Sequence, residues 1–368
     1  MKKYTSPQLT LCIALASTVV IPFTHACTGI TLHADDGAVI PGRTMEFGFD
    51  IESRLGIVPA GTEIHSLSTA KGDEGFRYKT KFGFVGMNGV GMPIVLDGLN
   101  EKGLYFGAHY FVGEAKFADI NDENNAKAIG SADLGNWLLG NFATVDEVRE
   151  ALPAQVVVES YIKQIKGNAP IHYILTDASG KSIVIEYTSD GLKIFDNKVR
   201  AFANSPSFDW HLKNLVNYIG LTPNNREAIE LNGEEIVPFG EGTGLVGLPG
   251  DSTSPSRFVR AAVFANMAAP SKTAEDGVFQ AFHILNIFDL PKGAIRSEEE
   301  GHTLMEYTLW SSATDTKNLA YYFKTYESQS VEKVDLQKAL ENVTTVTYLP
   351  IESGFRVIDR TPSSADSN

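Results

Sequence analysis

Cys27 is the residue around which chemistry can be built. It follows Lys2 and Lys3, a mostly apolar run from Leu9 to Phe23, and then Thr24, His25 and Ala26. That is the layout of a secretory signal peptide, here residues 1–26, cut just before a cysteine. Ala26 suits such a cut, and Thr24 three positions ahead of the cysteine suits it less well than Ala would. The apolar run contains Pro22 and falls short of the roughly 20 apolar residues that span a bilayer, so a permanent membrane helix is the weaker reading. A chain that begins at Cys27 carries nucleophile and base on one residue. Its α-amino group, with an ordinary pKa of about 8, lies close to the sulfur and can take the thiol proton, so no catalytic histidine is required.

Two other fates are open to a cysteine at this place. Bacterial lipoproteins also begin with a cysteine, which is acylated, giving a lipid-anchored binding protein rather than an enzyme. Such signals usually carry Leu three positions before the cysteine, where this chain has Thr24. The other rival is an uncleaved cytosolic chain, in which the amine never becomes a base. The thiol count bears on the choice. Of two cysteines, Cys12 lies inside the leader, so the exported chain would hold one thiol and no internal disulfide. An unpaired thiol in an oxidising periplasmic or extracellular setting asks for a chemical reason.

The remaining histidines, His33, His65, His109, His172, His211, His283 and His302, sit in no recognisable cysteine-protease motif. Each taken singly reads as structural or surface, and His109 is the one to watch. No cysteine pairs and no clustered histidine spacing suggest a metal, and no cofactor is implied. The formal charge of −14 becomes −16 when Lys2 and Lys3 leave, since no acidic residue leaves with them. A chain that acidic does not attract nucleic acid or anionic lipid.

The elements that must position Cys27 come in blocks. From Cys27 to Phe111 the runs GITLHA, GAVIPGRT, RLGIVPA, FGFVGMN and GLYFGAHYFV, broken by Gly and Asp turns, read as strands. Residues 132–152 read as two helical pieces, the second capped by Thr144 with Glu147 three residues on. PIHYILTD and SIVIEYT flank the turn Ala178 to Lys181 as a hairpin, with GLKIFDN a third strand. Helical periodicity returns in FDWHLKNLVNYIG, SRFVRAAVFANMA and AEDGVFQAFHILNIF, before two more strands between Leu304 and Tyr326. Blocked strands and helices predict an α+β domain over residues 27–358 in which helices cover two sheets. Residues 359–368 read as a dangling tail.

With these residues in view, CTGITLHADDGAVIPGRTMEFGFD resembles the opening of the choloylglycine hydrolase and penicillin V acylase family, a branch of the N-terminal-nucleophile hydrolases. DGLNEKGLYFGA, APIHYILTDASGKSIVIE, ANSPSFDWHLKNLVNYIGL and GEGTGLVGLPGDSTSPSRFVRAA follow in the family's order and extend the resemblance over nearly all of the exported chain. It implies an αββα sandwich of two antiparallel sheets between helix layers, and hydrolysis of a linear amide. It also implies Cys27 as nucleophile with its amine as base, Arg43 beside the thiolate, Asn204 as an oxyanion donor, and Arg257 at the site. A guanidinium near sulfur favours thiolate, and an amide NH₂ aimed at a developing oxyanion stabilises the tetrahedral intermediate.

Two positions depart from the family's pattern. Glu46 stands where an Asp usually contacts the N-terminal amine, keeping the carboxylate one methylene further out. At the main-chain oxyanion donor, bile-salt hydrolases are similar in carrying Asn and penicillin V acylases often Tyr, whereas this chain has His109 followed by Tyr110. That departure tilts the expected substrate toward penicillin V or an N-acyl homoserine lactone, with conjugated bile salts as the alternative. Phe47, Phe82 and Tyr110 are expected either in an acyl pocket or in the core. The Asn217–Gly250 excursion, long for a link between helices, corresponds by resemblance to one that grips neighbouring subunits, implying a homotetramer; taken alone it reads as a surface loop.

Overall fold

The computed structural model describes residues 26–66, 75–121, 123–165, 167–299, 301–351, 354–355 and 357–361. The leader read in residues 1–25 and the end of the tail, 362–368, lie outside the described residues.

Two antiparallel sheets form the frame. In the first, strands run in the spatial order Ala201–Phe202, Thr28–His33, Val39–Phe47, His302–Asp315, Ala320–Thr325 and Glu332–Asp335, with Ile295–Glu299 pairing on His302–Asp315. In the second the order is Gly191–Asp196, Ser182–Thr188, Ile171–Thr176, Tyr105–Tyr110, Met92–Asn100, Phe84–Gly89, Arg54–Val58 and Thr347–Pro350. Helices α1 (Leu134–Asn141) and α2 (Val145–Ala151) follow the first block of strands, and α3 (Phe208–Asn214) follows the Ile171–Asp196 meander. Helices α4 (Ser254–Met267) and α5 (Ala274–Leu285) pack on Thr28–His33 and Val39–Phe47, while α1 packs on Met92–Asn100 and Tyr105–Tyr110. Each sheet thus has helices on one face, which is the expected layered arrangement.

Burial follows from the layering. All nine residues of Val39–Phe47 are buried, polar and apolar alike, because one face meets α5 and the other meets the sandwich interior. A strand covered on both faces shows no alternation, and this is how Arg43 and Glu46 come to lie inside the protein. Phe258, Ala261, Val278 and Leu285 fill one helix–sheet layer with Ile30 and Ile40, and Leu134, Leu138 and Leu139 join Val85, Leu99 and Phe106 in the main core.

Local signals held where their physics is local. Thr144 Oγ1 accepts the Glu147 N–H at 3.2 Å. The Glu147 carboxylate reaches the Ala143 N–H at 2.7 Å, one residue further back than a capping box would. Gly180, at φ +86°, closes the hairpin between Ile171–Thr176 and Ser182–Thr188. A tighter hairpin joins Phe84–Gly89 to Met92–Asn100 through Val90 and Gly91, both at positive φ, a strained place for a β-branched residue. The excursion after Asn217 carries a small hairpin, Ile229–Leu231 with Glu234–Ile236, whose Ile229, Leu231, Ile236, Val237 and Phe239 are all exposed.

Candidate active site

Cys27 immediately precedes Thr28–His33, a strand paired on both sides, with Ala201–Phe202 and with Val39–Phe47. Register places Gly29 opposite Arg43 and opposite Phe202, two residues before Asn204, so strand pairing alone gathers three of the expected residues. Ala26 is still bonded ahead of Cys27, and the Cys27 nitrogen is therefore a peptide N–H, donating to Asn204 Oδ1 at 2.8 Å. The Asn204 Nδ2 donates to the Tyr110 carbonyl at 2.9 Å.

Arg257, on α4, ties these pieces together. Its Nη2 donates to Asn204 Oδ1 at 2.7 Å, its Nη1 to Thr28 Oγ1 at 2.8 Å and to the Cys27 carbonyl, and its Nε to the Ser252 carbonyl at 3.0 Å. Arg43 is held differently. It donates to the carbonyls of Ala108, Leu96 and Thr44, lies over the Trp310 ring, and shares the Met45 sulfur with the Cys27 thiol, at 3.7 and 3.9 Å. Among the described residues no carboxylate forms a salt bridge with Arg43. Burial works against its charge, and Cys27 and Asp97 more than offset that, leaving the guanidinium more firmly protonated than usual.

Burial also pushes the Cys27 thiol up; the Arg43 charge pulls it down, the Glu46 carboxyl adds to the rise, and the Glu46 N–H and Arg257 oppose it. Glu46 follows a β-bulge after Met45, a device that re-aims a side chain, and accepts from Thr308 Oγ1 at 3.0 Å. Its burial raises its pKa to about 8 against the pull of Arg257, two threonine hydroxyls and Arg43. The extra methylene thus keeps a carboxyl in the site, but one poised near neutrality rather than a fixed anion.

His109 does not border the thiol with its side chain. The ring lies against Phe202, 4.5 Å between centroids, and against Gly29, held neutral by burial and by Arg43. The neighbouring Tyr110 lines the cavity instead. Register separates their main chains as well. Phe111 donates to Pro170, and hydrogen-bonded pairs recur every second residue, so His109 pairs with His172 through the ladder while the Tyr110 N–H points from the other edge of the strand. There the adjacent strand has diverged beyond Asp97.

Beside the thiol is a cavity of about 50 Å³ walled by Met45, Phe47, Val90, Leu96, Tyr110 and Ile171, with further aliphatic neighbours. Its lining is almost wholly apolar, and the strained Val90 turn contributes to it. Phe47 and Tyr110 are in this wall; Phe82 is not, and lies under the Lys102 ammonium. Cys27 is the free thiol of the described chain. Among the described residues no cluster of His, Cys, Asp and Glu is arranged to hold a metal ion, and no helix is long and apolar enough to cross a membrane.

Sequence reasoning missed the supports behind Asn204. His172, His211, Glu186 and Ser254 all touch its loop, and no local spacing announces that, because they come from four separate elements. Together the site offers a buried thiol, a cation without a salt bridge, two amide-type donors and an apolar recess, which suits acyl transfer through sulfur.

Known proteins agree with the geometry. The chain is 34% identical over 316 residues, 85% of this chain and 93% of the relative, to a bile salt hydrolase/transferase of Clostridium perfringens (strain 13 / Type A). It is 27% identical to a penicillin V acylase of Pectobacterium atrosepticum, covering 81% of this chain and 77% of that one. A crystal structure of a variant of conjugated bile acid hydrolase from Clostridium perfringens superposes with a TM-score of 0.80 at 30% identity, over 91% of this chain and 100% of that one. Residues 27–348 match the profile of linear amide C-N hydrolases, choloylglycine hydrolase family. With the sandwich, the buried thiol and the profile in agreement, this chain belongs to the choloylglycine hydrolase family of linear amide C–N hydrolases.

Proposed function

We propose that this hydrolase cleaves conjugated bile salts, with Cys27 as nucleophile once the Ala26–Cys27 bond is cut. The observation that carries the reading is the apolar lining of the recess beside the thiol, which matches the chemistry of a hydrocarbon acyl group, in a chain about one third identical to a bile salt hydrolase/transferase. This reverses the order expected from the sequence, where the departure at His109 tilted toward penicillin V. That departure concerns a side chain facing Phe202, so it carries little weight for substrate choice. One observation keeps penicillin V as the second reading: the Tyr110 ring in the cavity wall.

In the reaction, the freed α-amine takes the thiol proton and the sulfur attacks the amide carbonyl. The resulting oxyanion is met by the Asn204 Nδ2 and by the Tyr110 N–H, rather than by the His109 N–H expected from the sequence. Arg43 favours the thiolate, Arg257 holds Cys27 and Asn204 together, and the Glu46 carboxyl acts electrostatically on the thiol. The amine then protonates the leaving nitrogen, and water hydrolyses the thioester.

Export is part of the proposal, because a signal peptidase cut would release the amine. So is a homotetramer, with the exposed apolar residues around Ile229–Ile236 and Phe239 as its contact. Mature enzyme is to be assayed side by side on glycine- and taurine-conjugated bile salts, penicillin V and long-chain acyl homoserine lactones. The bile salts should turn over fastest, and Cys27→Ala should abolish turnover. Retained turnover in that variant would sink the mechanism; bile salts left intact while penicillin V is cleaved would reverse the order of substrates.

A further inference from the structure

Two buried histidines grip the main chain on either side of Asn204. His172, from Ile171–Thr176, is stacked on Phe111 at 4.2 Å and brings its Nε2 within 2.9 Å of the Ala203 carbonyl oxygen. His211, on α3, is stacked on Phe258 at 4.4 Å and brings its Nε2 within 2.8 Å of the Asn204 carbonyl oxygen. Ser254 Oγ donates to that same Asn204 oxygen at 2.9 Å.

A carbonyl oxygen only accepts, so both Nε2 atoms must carry hydrogen. On His172 this leaves Nδ1 facing Glu186 Oε1 at 3.2 Å, in a pair at most 1% exposed. Without a proton between them, a nitrogen lone pair would oppose a carboxylate oxygen in a low-dielectric interior. The contact therefore holds a proton and is a hydrogen bond, whichever partner donates it. The same Oε1 accepts the Phe208 N–H at 2.8 Å, at the start of α3, the helix that carries His211. The remaining ionisable neighbours are Lys193, opposite Glu186 on the adjacent strand, His109, with its ring 6.5 Å from that of His172, and His211 with Arg257 beyond it.

A closed circuit results. Glu186 fixes His172, which fixes the Ala203 carbonyl; Glu186 also fixes α3, whose His211 fixes the Asn204 carbonyl. Residues 203–208 are held from both ends, and the Asn204 amide projects from between.

We propose that His172 and Glu186 form a hydrogen-bonded positioning pair which, with His211, sets the main chain of Ala203 and Asn204 so that the Asn204 amide meets the oxyanion. The inference rests on the reading of Asn204 as an oxyanion donor. Neither residue touches the reacting atoms; they act through Asn204, and misplacement of a catalytic group by about 1 Å costs on the order of a hundredfold in rate.

The test separates oxyanion stabilisation from thiolate formation. Mature wild-type enzyme, Glu186→Gln and Asn204→Ala are compared on the substrate that the wild type turns over, and in the rate at which iodoacetamide alkylates Cys27. Alkylation needs the thiolate but no oxyanion donor. In Glu186→Gln the amide oxygen can still accept from Phe208, but it meets a protonated His172 Nδ1 only at the cost of an uncompensated buried imidazolium, so kcat should fall by about tenfold or more, with KM and alkylation each within about twofold. If that variant does not fold, His172→Gln, whose amide can reach the Ala203 carbonyl without bonding to Glu186, is read in the same way. A kcat within about twofold of wild type overturns the inference, and so does a parallel fall of kcat and alkylation, which marks a merely structural pair. Asn204→Ala tells the two failures apart. If it loses turnover and Glu186→Gln does not, the positioning pair is wrong and the oxyanion donor stands; if it keeps turnover, the reading of Asn204 fails and this inference with it.

Discussion

The guanidinium of Arg257 joins the main-chain carbonyl of Cys27 to the side-chain oxygen of Asn204. One planar group thus sets the spacing between the sulfur-bearing residue and the proposed oxyanion donor 177 positions away in sequence. Lysine offers no fork that spans both acceptors. Arg257→Lys should lower kcat/KM on the order of a hundredfold in steady-state assays, while the protein remains folded by circular dichroism. A loss of less than about threefold would show that the fork is dispensable.

Arg43 supplies charge rather than spacing. It lowers the thiol pKa that burial raises, so Arg43→Gln should move the midpoint of the pH profile for Cys27 alkylation upward. Each unit of that shift cuts the thiolate fraction at neutral pH about tenfold. The midpoint is the quantity to follow, since the lost donors to Ala108 and Leu96 would disturb rates for other reasons. An unmoved midpoint would remove Arg43 from the chemistry.

Acid should loosen the scaffold through His211. Its burial lowers its pKa from 6.5 to about 4. Between those values the unfolded chain binds a proton that the folded chain refuses, so stability is complete above about pH 6.5 and declines as pH falls toward 4, by up to ~3 kcal/mol. His211→Gln has no such proton to refuse. Urea unfolding at several pH values should show a shallower acid decline in the variant than in wild type, and equal slopes would mean that His211 is not the group responsible.

The peptide bond to Ala26 should act as a lock. While it is intact the Cys27 nitrogen is an amide that donates to Asn204, and an amide nitrogen is no general base. A form in which cleavage is blocked, Ala26→Lys, should fold and show no turnover, whereas protein beginning at Cys27 is active. N-terminal sequencing alongside the assay checks it, and activity in a form that still carries residue 26 would defeat the amine-as-base mechanism.

What the sequence disclosed follows from the range of each interaction. The Thr144 cap, the Gly180 hairpin and the α4 and α5 periodicities depend on residues a few positions apart, and they are where the pattern put them. Cys27, Arg43, Asn204 and Arg257 were named from motif resemblance and lie together. The layer covering both faces of Val39–Phe47 erased the alternation that would have marked its buried side. His172 and His211 were unreadable for a related cause: an isolated histidine in an apolar run looks the same whether it fills space or braces a loop, and its partners Glu186 and Ser254 arrive from elsewhere. At His109 and Tyr110 strand register decides which of two adjacent residues presents its N–H away from the ladder, and register is set by Ile171–Thr176, about 60 residues away.

Cys27, the proposed nucleophile, immediately precedes a strand pinned from both sides, whereas Val90, at the tip of a separate hairpin, walls the recess beside its thiol. The two can therefore change at different evolutionary rates. Substitutions in the turn would, under the proposed mechanism, remodel which acyl groups are accepted without disturbing the bonds at sulfur, so descendants of one ancestral hydrolase could diverge in diet while inheriting the same reaction.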